Sequence, residues 1–174
     1  MAKRHAQALD AFCDRVNRLS EIGIALLIAA TVGVTFLQVV CRYGLDSSLS
    51  WSEEFSRYAF IWAIFLGAGS VARRGQHMVV DTLRGALPAR PRHWLDIFIA
   101  LTGIAFFATF AYTAILLTQN AISQISTSLQ IPIAVIYVSA PIGAALTILH
   151  LANGIVQGFA APREPSTPPA LPIT

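Results

Sequence analysis

Long uncharged apolar stretches alternate with short polar ones along the chain. Four runs stand out, Ile22 to Cys41, Phe55 to Ala72, Ile97 to Leu117 and Ile131 to Val156. A hydrocarbon layer of about 30 Å takes about 20 helical residues to cross, and each run meets or nearly meets that length. Ionisable groups keep to the ends, with Arg57 in the first turn of the second run. A charge at a helix centre costs about 2.5–3.5 kcal/mol on the insertion scale, and all four middles avoid it. Helix is the form such runs take, because a lone strand leaves its backbone groups unpaired in lipid. The pattern predicts an all-α membrane protein with four transmembrane helices at about 22–41, 55–72, 95–117 and 131–157. These form one domain over 22–157.

The polar stretches carry their own periodicity. Before the first span, Leu9, Phe12, Cys13, Val16 and Leu19 recur at helical spacing, with Asp10, Asp14, Asn17 and Arg18 on the other faces. Residues 1–21 therefore read as a cytoplasmic amphipathic helix lying in the membrane interface. The first outer loop, 42–51, ends in Ser50-Trp51-Ser52-Glu53, a capping-box pattern with Ser50 as cap and Glu53 reaching back. Trp51 suits the interfacial aromatic belt. Glu53 and Arg57 stand four apart in the favourable order. Between the second and third spans, His77, Asp81 and Arg84 form one stripe and Val79, Val80, Leu83 and Leu87 another, which predicts a short in-plane helix ended by Gly85 and Pro88. The loop 118–130 holds no charge but many amides and hydroxyls. Pro132 is placed to begin the fourth helix and Pro141 to kink it. Residues 158–174 carry five prolines and read as a disordered cytoplasmic tail.

Composition agrees with the pattern and charge orients it. Of 174 residues, 55 % are hydrophobic and only 12 % charged, about half the charged load of a soluble protein. A pI near 9.2 is compatible with a nucleic-acid partner; the placement of the basic residues argues against it. With both termini cytoplasmic, ten of the 12 Lys and Arg lie inside and only Arg42 and Arg57 outside, as the positive-inside rule requires. A cleavable leader is not expected, since no small-x-small site follows the first run. Cys13 and Cys41 flank the first span and cannot meet in a disulfide.

Candidate chemistry is sparse. Small residues recur at Ala25, Ala29, Gly33 and at Ala59, Ala63, Gly67. Spacing by four permits close helix approach, either inside the four-helix domain or onto another membrane subunit. A haem-bearing bundle needs facing axial histidines, yet of His5, His77, His93 and His150 only His150 falls inside a span. No cofactor or metal site is expected. An ion-coupled transporter acting alone should carry an intramembrane ionisable group, and none is present in the span middles. No nucleophile, phosphate-loop or paired-carboxylate motif appears, so an enzyme is not expected.

One block adds identity to this picture. Arg42-Tyr43, Leu49-Ser50-Trp51-Ser52-Glu53-Glu54-Phe55-Ser56-Arg57, Phe65-Leu66-Gly67-Ala68, Arg73-Arg74-Gly75-Gln76-His77-Met78-Val79-Val80-Asp81, Leu129-Gln130-Ile131-Pro132 and Ala140-Pro141-Ile142-Gly143 resemble the small, DctQ-like membrane subunit of tripartite ATP-independent periplasmic (TRAP) transporters. The resemblance covers roughly residues 20–157. It implies a non-catalytic small permease subunit of the bacterial inner membrane, surrounded by membrane lipid. This subunit would scaffold a large membrane subunit and help dock a periplasmic binding protein for sodium-coupled uptake of an organic acid. By matched position it implies interface or docking roles for Arg42, Trp51, Glu53, Glu54, Arg57, Gly67, Gly75, His77, Asp81, Pro132 and Pro141. The alternatives are a small autonomous four-helix transporter and a haem- or quinone-type membrane anchor.

Overall fold

A computed structural model describes residues 2–47, 49–74 and 89–160. They form α1 (Ala2–Gly44), α2 (Ser50–Arg74), α3 (Ala89–Asn120), the single turn α4 (Ala134–Tyr137) and α5 (Ser139–Ala160). Four helical stretches, the last running through α4 and α5, are long and apolar enough to cross a membrane. The expected all-α architecture is therefore present. The predicted in-plane helix at 75–88 lies outside the described residues, as does the tail from 161 onward.

The first helix differs from expectation. Residues 2–21 do not form a separate interfacial helix; they continue into the first span as one rod of 43 residues, about 64 Å long. No Gly or Pro interrupts residues 2–22, and Asn17 Nδ2 donates to Glu21 across one turn at 3.0 Å. The faces are also assigned differently. Asp10 and Asp14 both pair with Arg73 of α2, Cys13 is fully buried, and Phe12 and Leu19 stay exposed at 55 % and 68 %.

The helices do not close into a symmetric four-helix bundle. α1 packs along α2, and α2 and α3 both pack along α5, which also touches α1; among the described residues α1 and α3 share no packed face. The most apolar window of α1, with mean hydropathy 2.4, contains no buried residue. The centre is made of small side chains, Ala59, Ala63, Ala114, Ala140 and Ala144. Two glycines bring backbones together. A Cβ on Gly143 would lie 2.5 Å from the carbonyl oxygen of Phe65, and one on Gly69 would lie 2.9 Å from Leu146 Cβ.

The stripes of small residues separate accordingly. Ala59 and Ala63 are buried, but the buried face continues to Gly69 and Ser70 rather than to Gly67. Steps of four residues overshoot a helical turn by about 40° each, so a spacing of four drifts off the contact line. A Cβ on Gly67 would meet only Ile24 Cδ1, at 4.0 Å. On α1, Ala25 and Ala29 are exposed and Gly33 has nothing within 4 Å.

Pro141 acts upstream of itself. It offers no N–H to the carbonyl of Tyr137 and crowds it, and the helix is interrupted at Val138, between α4 and α5. Val138 keeps helical angles (φ −58°, ψ −26°), so this is a kink rather than an unwound gap. Ser139 Oγ donates to the Ile136 carbonyl at 2.6 Å across it. Within the spans, Thr31, Thr109 and Thr147 return their hydroxyls to carbonyls one turn back, as expected of lipid-embedded threonines.

Candidate functional site

Polar side chains concentrate at the two ends of the layer. The loop end gathers the close of α1, the start of α2 and the 121–133 connection. Asp46 takes a left-handed backbone (φ 52°) after α1, and the Ser47 N–H turns back onto the Cys41 carbonyl at 3.1 Å. At the start of α2, the side-chain bond is made by Ser52, whose Oγ donates to the Leu49 carbonyl at 2.6 Å. Among the described residues no bond joins Ser50 to Glu53, so the expected capping box is replaced by a turn closed from Ser52. Ser52 is fully buried.

Glu54 organises this end. It is 7 % exposed, and its Oε2 accepts the backbone N–H groups of both Ser128 and Leu129 at 2.9 Å. Its Oε1 accepts the Tyr58 hydroxyl at 2.5 Å. Around this anchor the loop folds on itself. Ser126 N–H donates to the Ile131 carbonyl at 2.9 Å and Ile133 N–H to the Gln124 carbonyl at 2.8 Å, a two-residue antiparallel bridge between Ile125 and Pro132. Pro132 thus closes the bridge, and the helix begins two residues later at Ala134. Gln130 has φ 53° and donates from Nε2 to the Thr127 carbonyl at 2.8 Å.

The neighbouring candidates behave differently. Glu53, one position from Glu54, is exposed. Arg57 is exposed too, and its guanidinium lies 5.9 Å from the Tyr58 ring centre. No Glu53–Arg57 ion pair is present among the described residues. Arg42 sits 5.9 Å over the Tyr43 ring, and Trp51 packs edge-on against Phe55 at 6.4 Å. Pro141 lies inside the layer rather than at this face, and Gly67 lines a groove of about 430 Å³ between α1 and α2. Gly75, His77 and Asp81 lie outside the described residues.

The terminal end holds a second cluster that the sequence reading did not join. Arg73 Nη2 contacts Asp10 Oδ1 and Asp14 Oδ1, each at 2.6 Å, and Asn153 Nδ2 donates to Asp10 at 2.9 Å. Arg74 pairs with Glu21 at 2.8 Å. Three helices meet here over the buried Cys13, His150 and Asn153. The available signal was a pair of acids at i and i+4, Asp10 and Asp14, facing a terminal Arg-Arg. Gly143 was similarly missed as a contact, although Ser139, Gly143 and Thr147 recur every fourth residue.

A family model, the DctQ component of tripartite ATP-independent periplasmic transporters, matches residues 31–161, three quarters of the chain. The chain belongs to this family. Its DctQ-type relatives are transporter subunits and not enzymes, and the chain is a multi-pass protein of the bacterial inner membrane. The ectoine TRAP transporter small permease protein TeaB of Halomonas elongata is 31 % identical over 134 residues, 76 % of this chain and 69 % of TeaB. A TRAP transporter small permease protein of Haemophilus influenzae is 42 % identical over 73 residues, 42 % of this chain but under half, 45 %, of that protein. The sialic acid TRAP transporter permease protein SiaT of Haemophilus influenzae is 29 % identical over 86 residues, 49 % of this chain and 14 % of SiaT. Glu54 and its loop partners fall inside the DctQ match, as do Arg73 and Asn153. Asp10, Cys13 and Asp14 fall before it.

Proposed function

We propose that this DctQ-type chain is the non-transporting small subunit of a TRAP-type secondary transporter. In this reading both termini are cytoplasmic, following the distribution of Lys and Arg. The chain holds a large membrane subunit and presents its loop end to a periplasmic binding protein, for sodium-coupled uptake of an organic acid. The single observation that carries the reading is the mismatch between surface and pathway. α1 buries nothing from its most apolar window, yet no span middle carries the ionisable group that coupling needs.

The likeness to SiaT supports a large partner. The match takes up 14 % of that permease's length, so sequence of this type is also found as one part of a much longer permease chain. The relatives' printed substrates, ectoine and sialic acid, both carry a carboxylate, which supports an organic acid as the substrate class. The test is reconstitution into liposomes under a sodium gradient, with the small subunit, large subunit and binding protein omitted in turn. Uptake is expected only with all three. Robust uptake by the purified 174-residue chain would overturn the reading in favour of a small autonomous transporter.

A further inference from the structure

The small residues of the first two spans leave a hollow instead of a contact. Ala25 and Gly67, one from each stripe, line the groove of about 430 Å³ between α1 and α2. Ile28 and Val71, both half-exposed, wall it. Two turns of a helix with its side chains fill about 850 Å³, so the groove suits something thinner than a helix. Its polarity is graded along its length. At the mouth, Arg74 donates from Nη2 to Glu21 at 2.8 Å, and its side chain is 57 % exposed. Among the described residues the other N–H groups of this guanidinium have no acceptor. Arg18, also exposed, stands three residues before Glu21 and so beside it on the helix surface. The mouth therefore carries net positive charge. One turn in from Arg74, about 6 Å deeper, stands Ser70. It lines the groove at 7 % exposure, and its Oγ has no hydrogen-bond partner among the described residues. Ser20 and Thr31 of α1, by contrast, return their hydroxyls to the carbonyl one turn back. Beyond Ser70 the lining is wholly apolar.

A ligand that fits presents an anionic group, then a hydrogen-bond acceptor, then hydrocarbon. That is the order of phosphate, glycerol ester and acyl chain in a phospholipid, and basic pockets between transmembrane helices suit anionic headgroups. We propose that the α1–α2 groove binds one anionic phospholipid. Its phosphate lies on Arg74 and Arg18, an ester carbonyl accepts from Ser70, and one acyl chain runs past Gly67. The site requires that the chain span a membrane, not that it serve as a transporter subunit.

The full chain, purified in mild detergent and stripped of lipid, is titrated with dioleoyl phosphatidylglycerol or dioleoyl phosphatidylethanolamine, and occupancy is read by native mass spectrometry. One phosphatidylglycerol should bind at a concentration at least about fivefold lower than phosphatidylethanolamine. R74Q and R18Q should each weaken phosphatidylglycerol about fivefold and the zwitterionic lipid less. E21Q should strengthen phosphatidylglycerol by releasing Arg74; weakening by E21Q would mean that the ion pair only shapes the groove, and would overturn the headgroup site. S70A should weaken both lipids alike, about two- to tenfold. G67L and A25F fill the groove from opposite walls and should abolish saturable binding of either lipid, with a silent Cys13 in a C41S background showing the fold intact. R57Q, at the loop end, should change nothing. Excess inorganic phosphate should leave the lipid bound; displacement would reveal a simple anion site and overturn the proposal. Equal affinity for the two lipids, or G67L and A25F chains that bind as the parent does, would overturn it. So would loss of the lipid when the large subunit joins, since the groove would then belong to that partner.

Discussion

Replacing Gly143 with alanine isolates the closest backbone approach in the layer. The added methyl would fall 2.5 Å from the Phe65 carbonyl oxygen, 2.8 Å from its carbonyl carbon and 2.9 Å from its Cβ. Comfortable separations are about 3.5–4.0 Å, and two of the three obstructing atoms are backbone, which no rotamer change can clear. α2 and α5 must part by roughly 1 Å, the gap between those two sets of distances. Overpacking of this kind costs about 1–3 kcal/mol. Alanine inside a helix returns about 0.5–1 kcal/mol over glycine, leaving a net loss of about 1–2 kcal/mol. On the usual scaling for chains of this size that is about 2–8 °C in Tm. G67A is the control, because its methyl would make only an ordinary 4.0 Å contact with Ile24; the helix-propensity gain should then leave it neutral or slightly stabilised. Cys13, fully buried, supplies the assay. In a C41S background its labelling by a thiol-reactive dye on heating reports unfolding. A G143A chain as stable as its parent, or a G67A chain equally damaged, would refute the account of where α2 and α5 touch.

Three further outcomes follow from the terminal cluster and the kink. R73A removes the guanidinium from Asp14 and leaves Asp10 its bond from Asn153; since Asp14's side chain is 64 % exposed, the loss should be about 1–2 kcal/mol rather than that of a fully buried pair, seen as roughly five- to thirtyfold faster Cys13 labelling in native membranes. In the unaltered protein an impermeant maleimide should label Cys41 from the periplasmic side, whereas Cys13 should stay silent from both sides until the chain unfolds; labelling of Cys13 in intact spheroplasts would reverse the proposed orientation. W62F removes the Nε1 donation to the Val135 carbonyl at 3.2 Å, and thermal unfolding should register a loss of about 0.5–1.5 kcal/mol.

The four spans were legible because lipid imposes one requirement, about 20 apolar helical residues, that shows directly in the order of side chains. The packing was less so, for a geometric reason. Glu53 and Glu54 are identical in type and adjacent in sequence, but about 100° apart around the helix. One faces water and the other meets Ser128 and Leu129, which are more than seventy residues away in the chain. Nothing local distinguishes them. The small-residue stripes were ambiguous for a related reason: Ala59 and Ala63 lie on the buried line while Gly67 has drifted off it, and the stripe on α1 faces outward. In water the exposed side of a helix is marked by polarity. In lipid both sides are apolar, and only the neighbouring helix tells them apart.

The N-terminal segment shows the same limit from the polar side. Its spacing reads as amphipathic, but an apolar stripe in a membrane protein does not say whether it meets lipid or protein. What settles it is Arg73. A guanidinium at the end of an apolar helix needs either headgroups or carboxylates. Asp10 and Asp14, one turn apart, offer two on one face, while Asn153 Nδ2 donates to Asp10 from α5. Once these bonds form, α1 runs straight past the end of α2, with residues 10–21 continuous with the first span. With the Arg74–Glu21 pair, this neutralises two of the ten cations on which the orientation argument leaned. The two uses of Arg73 remain compatible because topology is set by Lys and Arg with little regard to nearby Asp and Glu, at insertion, before α1, α2 and α5 have packed. The same residue can therefore count as an unpaired cation when the span is oriented and as a neutralised joint when the layer is assembled.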